Sequence, residues 1–426
     1  MAYIEFPIGK RKMGHDFSGD NLTAVLESKL EEYIPSADED TLVKNAVMNP
    51  TGTKRLSELS KGKNNVVIIA SDHTRPVPSK IIMPYMLKEV RKGNPDADIT
   101  ILIATGFHRE TTREELIAKF GEEIVDNEKI VVHISTDDDM MTEIGTLPSG
   151  GRCRINKIAA NADLLIAEGF IEPHFFAGYS GGRKSVLPGV CSKETVLANH
   201  CAEFIASPYS RTGILEHNPI HEDMVWAARK ANLAFIVNVV INSKKEVVFA
   251  VAGDVEAAHK KGTDFLSKYC GAFCDEADIV ISTNGGYPLD QNIYQSVKGM
   301  TAAEAAVRKG GIIIMLSSAN DGTGGDDFYH AMKNNDSADD IYNGIMKRDR
   351  NETEPDQWMV QILARILKKT QVIYVSDCDS EIVKGYHFIP ETDLDSAIKK
   401  AKEMIKKPNP TIVAIPEGIS VVVNGN

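Results

Sequence analysis

Five glycines, two histidines and three cations fall within one stretch, Glu168 to His200 (EGFIEPHFFAGYSGGRKSVLPGVCSKETVLANH). Those residue types suit anion binding and proton transfer. Gly178, Gly181 and Gly182 permit backbone angles and close approaches that a Cβ would block, so successive amide N–H groups can converge on a phosphate or carboxylate. Arg183, Lys184 and Lys193 add charge. Gly178 to Ser185 meets the phosphate-loop pattern G-x-x-x-x-G-K-[ST] except that Arg183 stands where the second glycine should be. That miss, with no strand ending in an Asp placed to serve magnesium, disfavours a nucleotide triphosphatase. The bland alternative is a glycine-rich turn exposed between two elements. Glu, His, Phe-Phe, Tyr, Arg and Lys gathered in one loop argue for a site instead.

Two upstream loops carry similar types. Asn64 to Ala70 (NNVVIIA) reads as a buried strand that delivers Ser71-Asp72-His73-Thr74-Arg75-Pro76 at its carboxyl end, where open α/β sheets bind ligands. Asp72 there is either a site residue or a turn and capping residue, whereas the fork of Arg75 suits a carboxylate or phosphate. Asp98 to Ala104 is a second strand, followed by Thr105-Gly-Phe-His-Arg109 and a helix from Thr112 to Phe120. Thr112 and Glu115 form a capping box, which explains both without function. His108 is left over, as a solvated loop residue or an acid–base group. His133, on a strand from Lys129 to Ile134, points into packing or solvent. His217-x-x-x-His221 has helical metal spacing, but Pro219 lies between the two and no third ligand is near.

The elements that must position these loops alternate strand and helix twice over. The 426 residues, 42% of them hydrophobic, predict two α/β domains with mostly parallel sheets and a site in the cleft between them. The first is expected over 1–272 and the second over 273–407, restarting at Ala277–Ser282, with 408–426 and its strand Thr411–Ile415 returning to the first. Helices are expected at Asp20–Tyr33, Lys193–Phe204 and Gln291–Lys309. The last places Tyr294, Gln295 and Lys298 on one face, although Lys298 alone also reads as a solvated helix lysine. Neither half contains G-x-G-x-x-G, so neither is a conventional dinucleotide fold. A net charge of −12 opposes nucleic-acid and anionic-membrane roles. Six cysteines without a C-x-x-C pair, and no apolar leader or span, suggest reduced thiols in a cytoplasmic protein.

Together, EPHFFAGYSGGRKSVLPG, Asn199-His200, Asp72-His-Thr-Arg75-Pro and Gly106-Phe-His108-Arg109 resemble the nickel-dependent lactate racemase family. The resemblance implies a nickel-pincer nucleotide (pyridinium-3-thioamide-5-thiocarboxylic acid mononucleotide) made by separate biosynthetic enzymes and tethered through a thioamide to Lys184. It implies Ni(II) held by two sulfurs and one ring carbon of that cofactor, with His200 as the fourth ligand. Asp72, Gly181, Gly182, Arg183 and Lys193 are the further cofactor contacts expected. Arg75, Tyr294, Gln295, Lys298 and an aromatic matching Trp358 would enclose a small 2-hydroxy acid. Its weakly acidic C–H favours hydride removal over carbon deprotonation, while a base takes the hydroxyl proton. The resulting planar ketoacid can be re-reduced on either face. Two bases then serve two enantiomers, and His108 and His174 are the candidates. Other 2-hydroxy acids, such as malate, aromatic hydroxy acids or sugar acids, remain alternative substrates. A non-catalytic pyridine-nucleotide-binding protein is the alternative from another class.

Overall fold

The computed structural model describes residues 3–425. Two six-stranded sheets organise it. The first has the spatial order Val247–Gly253, Leu233–Ile241, Leu164–Phe170, Asn65–Ser71, Asp98–Ala104, Lys129–Val132. All of its pairs are parallel except the hairpin 233–253. Its strands are runs of Val, Ile and Leu because helices and loops cover both faces. Val67, Ile69, Leu165 and Ala167 enter one core cluster, and Val66, Ile68, Leu164 and Ile166 enter the other.

The second sheet, Ile389–Glu391, Gln371–Val375, Val307–Leu316, Ala277–Thr283, Thr411–Ile415, Asn21–Val25, is parallel throughout. Strand order reverses beside Asn65–Ser71 in the first sheet and beside Ala277–Thr283 in the second. At such a switch point the connections leave in opposite directions and open a crevice at the strands' carboxyl ends. The loops 71–76 and 171–185 leave the first crevice. The loops beginning at Asn284 and Pro416 leave the second.

The predicted division of the chain needs correction at both ends. Thr411–Ile415 does not return to the first domain but pairs with Ala277–Thr283 and Asn21–Val25 in the second sheet. Only Val422–Gly425 reaches back, pairing with Gly271–Cys274 at the junction. The N-terminus makes the crossing instead: Tyr3–Ile8 and Arg11–Asp16 form a hairpin whose Phe6 and Ile8 pack with Ile279, Ile281 and Ile314. The helix expected over Asp20–Tyr33 is a strand, Asn21–Val25, followed by a 3₁₀ turn at Leu30–Glu32. Leu22, Ala24 and Leu26 turn inward with period two, and the open edge of Thr411–Ile415 supplies the backbone partners.

Two other helices differ usefully. Lys193–Phe204 is broken into Lys193–Asn199 and Ala202–Ala206, with His200 at the corner between them. Gln291–Lys309 is shortened to Ile293–Ala306, where the Asn292 side chain accepts the Gln295 N–H, and the chain turns into strand at Val307. The strands expected at 64–70 and 98–104 are found at Asn65–Ser71 and Asp98–Ala104. Among the described residues no helix is long and apolar enough to cross a membrane. All six cysteines are free thiols, five of them buried.

Phe6 is fully buried although it lies in the N-terminal hairpin. Phe6→Ala is therefore expected to destabilise the protein by about 3–5 kcal/mol, as for other buried aromatic truncations. Chemical denaturation of the apoprotein measures it. A loss below about 1 kcal/mol would show that the hairpin is not integral to the second domain.

Candidate active site

The two crevices face each other across a cleft of about 1430 Å³ whose walls come from both sheets. From the first come Asp72, Arg75, His108, Glu172, His174, Gly181, Lys184, Lys193 and His200. From the second come Tyr294, Gln295, Lys298 and Trp358. Twelve of the fourteen residues singled out from sequence therefore share one cavity.

His108 lies in an exposed loop but is not free to turn. Its Nδ1 is 2.6 Å from Asp72 Oδ2, while Thr74 donates its N–H and hydroxyl to Asp72 Oδ1 at 3.2 and 2.7 Å. Burial would raise the Asp72 pKa, but the hydrogen bonds from His108 and Thr74 outweigh it and hold the carboxyl below the usual range. An ionised Asp72 fixes the tautomer with Nδ1–H donating, which leaves His108 Nε2 to exchange a proton. Asp72 thus orients His108 while lining the cleft.

His174 stands on a two-residue ribbon, Pro173–His174 against Gly178–Tyr179. Its Nδ1 accepts the Ala177 N–H at 3.3 Å, and its Nε2 lies 3.3 Å from Lys184 Nζ. Burial pushes the His174 pKa well down, and any charge on Lys184 would push it further. Burial, then the cations Arg183 and Arg75, likewise push Lys184 well below an ordinary lysine. A neutral amine accepting from His174 Nε2–H satisfies both groups.

His200 caps the helix Lys193–Asn199 and is nearly fully buried. Its ring meets Phe176 and Trp358 edge-on, each at 5.0 Å between centroids, and Phe107 stacks on Trp358 at 6.3 Å. His200 Nδ1 is buried with no hydrogen-bond partner among the described residues, and burial pushes its pKa down to about 3. Among the described residues, no three or more His, Cys, Asp and Glu side chains gather as a metal-binding group.

On the opposite wall, Lys298 donates to Gln295 Oε1 at 2.7 Å, and Tyr294 OH donates to Asp356 Oδ1 at 2.7 Å. Burial, then the neighbouring Arg75, lower the Lys298 pKa to about 8. Lys193 is exposed on its helix's first turn but lines the cleft.

Arg183 and Gly182 depart from expectation, since neither forms cleft wall. The Arg183 guanidinium turns inward, donating to the carbonyls of Ala177 and Tyr179 at 2.7 Å each and facing His259 Nε2 at 3.1 Å. The Gly182 N–H donates to Asn238 Oδ1 at 2.7 Å, so it is not offered to an anion. Gly181 does line the cleft; its φ of +81° and the Asn238 and Phe170 oxygens 2.8 Å from any added Cβ demand glycine.

Sequence reasoning missed Thr74, Phe176, Asn238, His259 and Glu172 as parts of the site. Glu172 alone left a usable signal, two residues before His174 and so on the same side of an extended ribbon.

Comparison with known proteins follows this geometry. Family models described as the lactate racemase N-terminal and C-terminal domains match residues 8–213 and 273–423. A lactate racemase from Thermoanaerobacterium thermosaccharolyticum is 55% identical over 424 residues, 99% of each chain. The chain belongs to the lactate racemase family. A lactate racemase from Lactiplantibacillus plantarum is 52% identical, covering 99% of this chain and 100% of that one. The crystal structure of the T. thermosaccharolyticum lactate racemase apoprotein superposes with a TM-score of 0.95, covering 99% and 100% of the two chains. A Thermotoga maritima protein of 17% identity, with a TM-score of 0.64 over 92% of this chain, shares the fold alone.

The cleft also contains a built-in acid sensitivity. His133 places Nε2 3.0 Å from the Cys191 carbonyl and Nδ1 3.2 Å from Asn156 Nδ2, a neutral arrangement with one donor and one acceptor. Burial lowers its pKa from 6.5 to about 4. Between those values the unfolded chain binds the proton and the folded one does not, so stability rises with pH and falls on acidification. Lowering the pH of the apoprotein from 6.5 towards 4 should cost about 1.4 kcal/mol per unit from this residue. Urea melts of parent and His133→Gln across that range measure it: the variant should lose part of the slope, and identical slopes would remove His133 as the cause.

Proposed function

We propose that this protein is a racemase interconverting D- and L-lactate, using a nickel-pincer nucleotide tethered to Lys184 with its metal bound by His200. The observation that carries this reading is one cleft holding an oriented His108, a His174–Lys184 contact of 3.3 Å and the cations Arg75 and Lys298. The residues fit the group. Lys184 is depressed towards a neutral nucleophilic amine, as a thioamide tether requires, and His200 has a buried nitrogen without a partner. One protein ligand cannot make a metal site, so the remaining donors must come with the metal. When bound, the cofactor supplies a hydride acceptor, which no side chain can.

The chain's own residues do the rest. Arg75 and Lys298 hold the carboxylate from opposite walls, fixing the C2 centre between the two histidines. His108, kept in one tautomer by Asp72, takes or returns the hydroxyl proton at Nε2. His174 does so for the other enantiomer. Phe176, Trp358 and Phe107 keep water from the planar ketoacid. Lys193 is a cofactor contact from the rim, as is the Gly181 backbone. A purely binding role leaves an Asp-oriented histidine without a task. Separate biosynthetic enzymes must supply the cofactor, and a reducing cytoplasm suits six free thiols.

The test is protein co-produced with the cofactor pathway and given 2-deuterated L-lactate. D-lactate should form with the label largely retained on carbon. His108→Ala and His174→Ala should each lower racemisation on the order of 10²–10⁴-fold while keeping nickel and cofactor. Wholesale exchange of the label with water would point to carbon deprotonation and sink the hydride scheme.

The two anchors should fail differently. Lys184→Ala should show no cofactor mass increment after denaturation, whereas His200→Ala should keep the increment and lose nickel. Intact mass and metal analysis decide this without any turnover. A nickel-replete, fully active His200→Ala would remove the metal assignment.

A further inference from the structure

Glu172 has no task in the scheme above, yet it is a carboxylate that shares the cleft with the cations Arg75 and Lys298. It immediately precedes the His174 ribbon, where Ser180 N–H donates to its carbonyl at 2.9 Å and the Ser180 hydroxyl reaches its Oε1 at 3.4 Å. Glu172 and His174 therefore project to the same side, into the cleft, and both line it. Its charged neighbours there are Arg75, Lys298 and Lys184.

Burial pushes the Glu172 carboxyl up, and Arg75, Lys298 and the Ser180 hydroxyl offset that only in part, while the side chain is exposed to the cleft. Arg75 and Lys298 bring positive charge to this part of the cleft, and Glu172 brings a carboxylate beside them. A second carboxylate brought into this space would meet Glu172 rather than a free cation, and like charges in a partly desolvated cleft reject a ligand strongly.

We propose that Glu172 offsets one of the two cations, Arg75 and Lys298, that face the substrate, so that the cavity accepts monocarboxylate 2-hydroxy acids and rejects dicarboxylates. The proposal rests on the reading of this cleft as a 2-hydroxy acid site. It makes Glu172 a specificity-determining residue, with no part in moving the proton. Removing its charge without changing its shape frees the second cation for a second carboxylate. Exclusion of the larger acid by the aromatic walls alone predicts no such change.

The experiment measures equilibrium binding of L-lactate and L-malate to the holoenzyme by calorimetry, alongside racemisation of each, for the parent, Glu172→Gln and Glu172→Asp. The parent should prefer lactate. The isosteric Glu172→Gln should reduce the lactate-to-malate affinity ratio by about tenfold or more, roughly the effect of one unscreened charge contact. Glu172→Asp, which keeps the charge, should retain the parent's preference. A Glu172→Gln ratio within about twofold of the parent's, or loss of the preference in Glu172→Asp as well, overturns the proposal. A parent that binds lactate selectively but racemises neither acid, with the ratio collapsing in Glu172→Gln, would defeat the racemase reading and leave the charge assignment standing.

Discussion

The inward-turned Arg183 is the contact on which the rest of the site depends. Its guanidinium is nearly fully buried, tied to the carbonyls of Ala177 and Tyr179, with burial lowering its pKa to about 9. Those carbonyls belong to the turn between His174 and Lys184, so one side chain closes the loop from within. A buried guanidinium is costly unless its donors are satisfied, and the loop's carbonyls are costly unless something donates to them. Each offsets much of the other's penalty, although Arg183 Nε has no hydrogen-bond partner among the described residues. The loop has a single shape as a result, with His174 and Lys184 3.3 Å apart.

That same fixed loop creates the electrostatic condition of the cleft. Arg183 is the leading charge acting on Lys184 after burial itself, and Arg75 adds to it from the neighbouring crevice. A lysine hemmed in by two arginines in a partly desolvated cavity gives up its proton more readily. A cluster of cations thus yields a nucleophile rather than a simple anion trap. The phosphate-loop pattern in the sequence was informative for this reason and misleading for another. Its departure at Arg183 marks where the side chain replaces an amide, but as an internal strut and not as a ligand hook.

Much of this was legible in the chain. Apolar runs marked the strands expected at 64–70 and 98–104, and the chemistry-bearing residues lay just beyond their carboxyl ends, where parallel sheets expose ligand sites. Inward direction was less legible. Arg183 and Lys184 are adjacent cations, and only tertiary packing decides that one faces carbonyls and the other faces the cleft. Sheet membership was the weakest inference, because strand order is set by which edges remain open. Thr411–Ile415 went to the second sheet and Asn21–Val25 joined it there, although the latter's apolar spacing also satisfies a helix. His200 illustrates the reverse case. A continuous helix would have hidden the break that turns it toward Phe176 and Trp358.

The two switch points divide the labour between the domains. Every residue assigned a proton, a covalent tether or a metal bond, namely His108, His174, Lys184 and His200, comes from the first sheet's loops or the segments that follow them. The second sheet contributes Tyr294, Gln295, Lys298 and Trp358, which touch the substrate's periphery in the proposed scheme. Such a partition lets substrate range change through one helix face and one aromatic while the reactive geometry stays braced by Arg183 and Asp72. Glu172 sits on the first domain but acts on the second domain's lysine, and so couples the two. A substitution at 298 that alters charge would then change the balance Glu172 keeps, and the two positions should be read together, because neighbouring charges do not act additively.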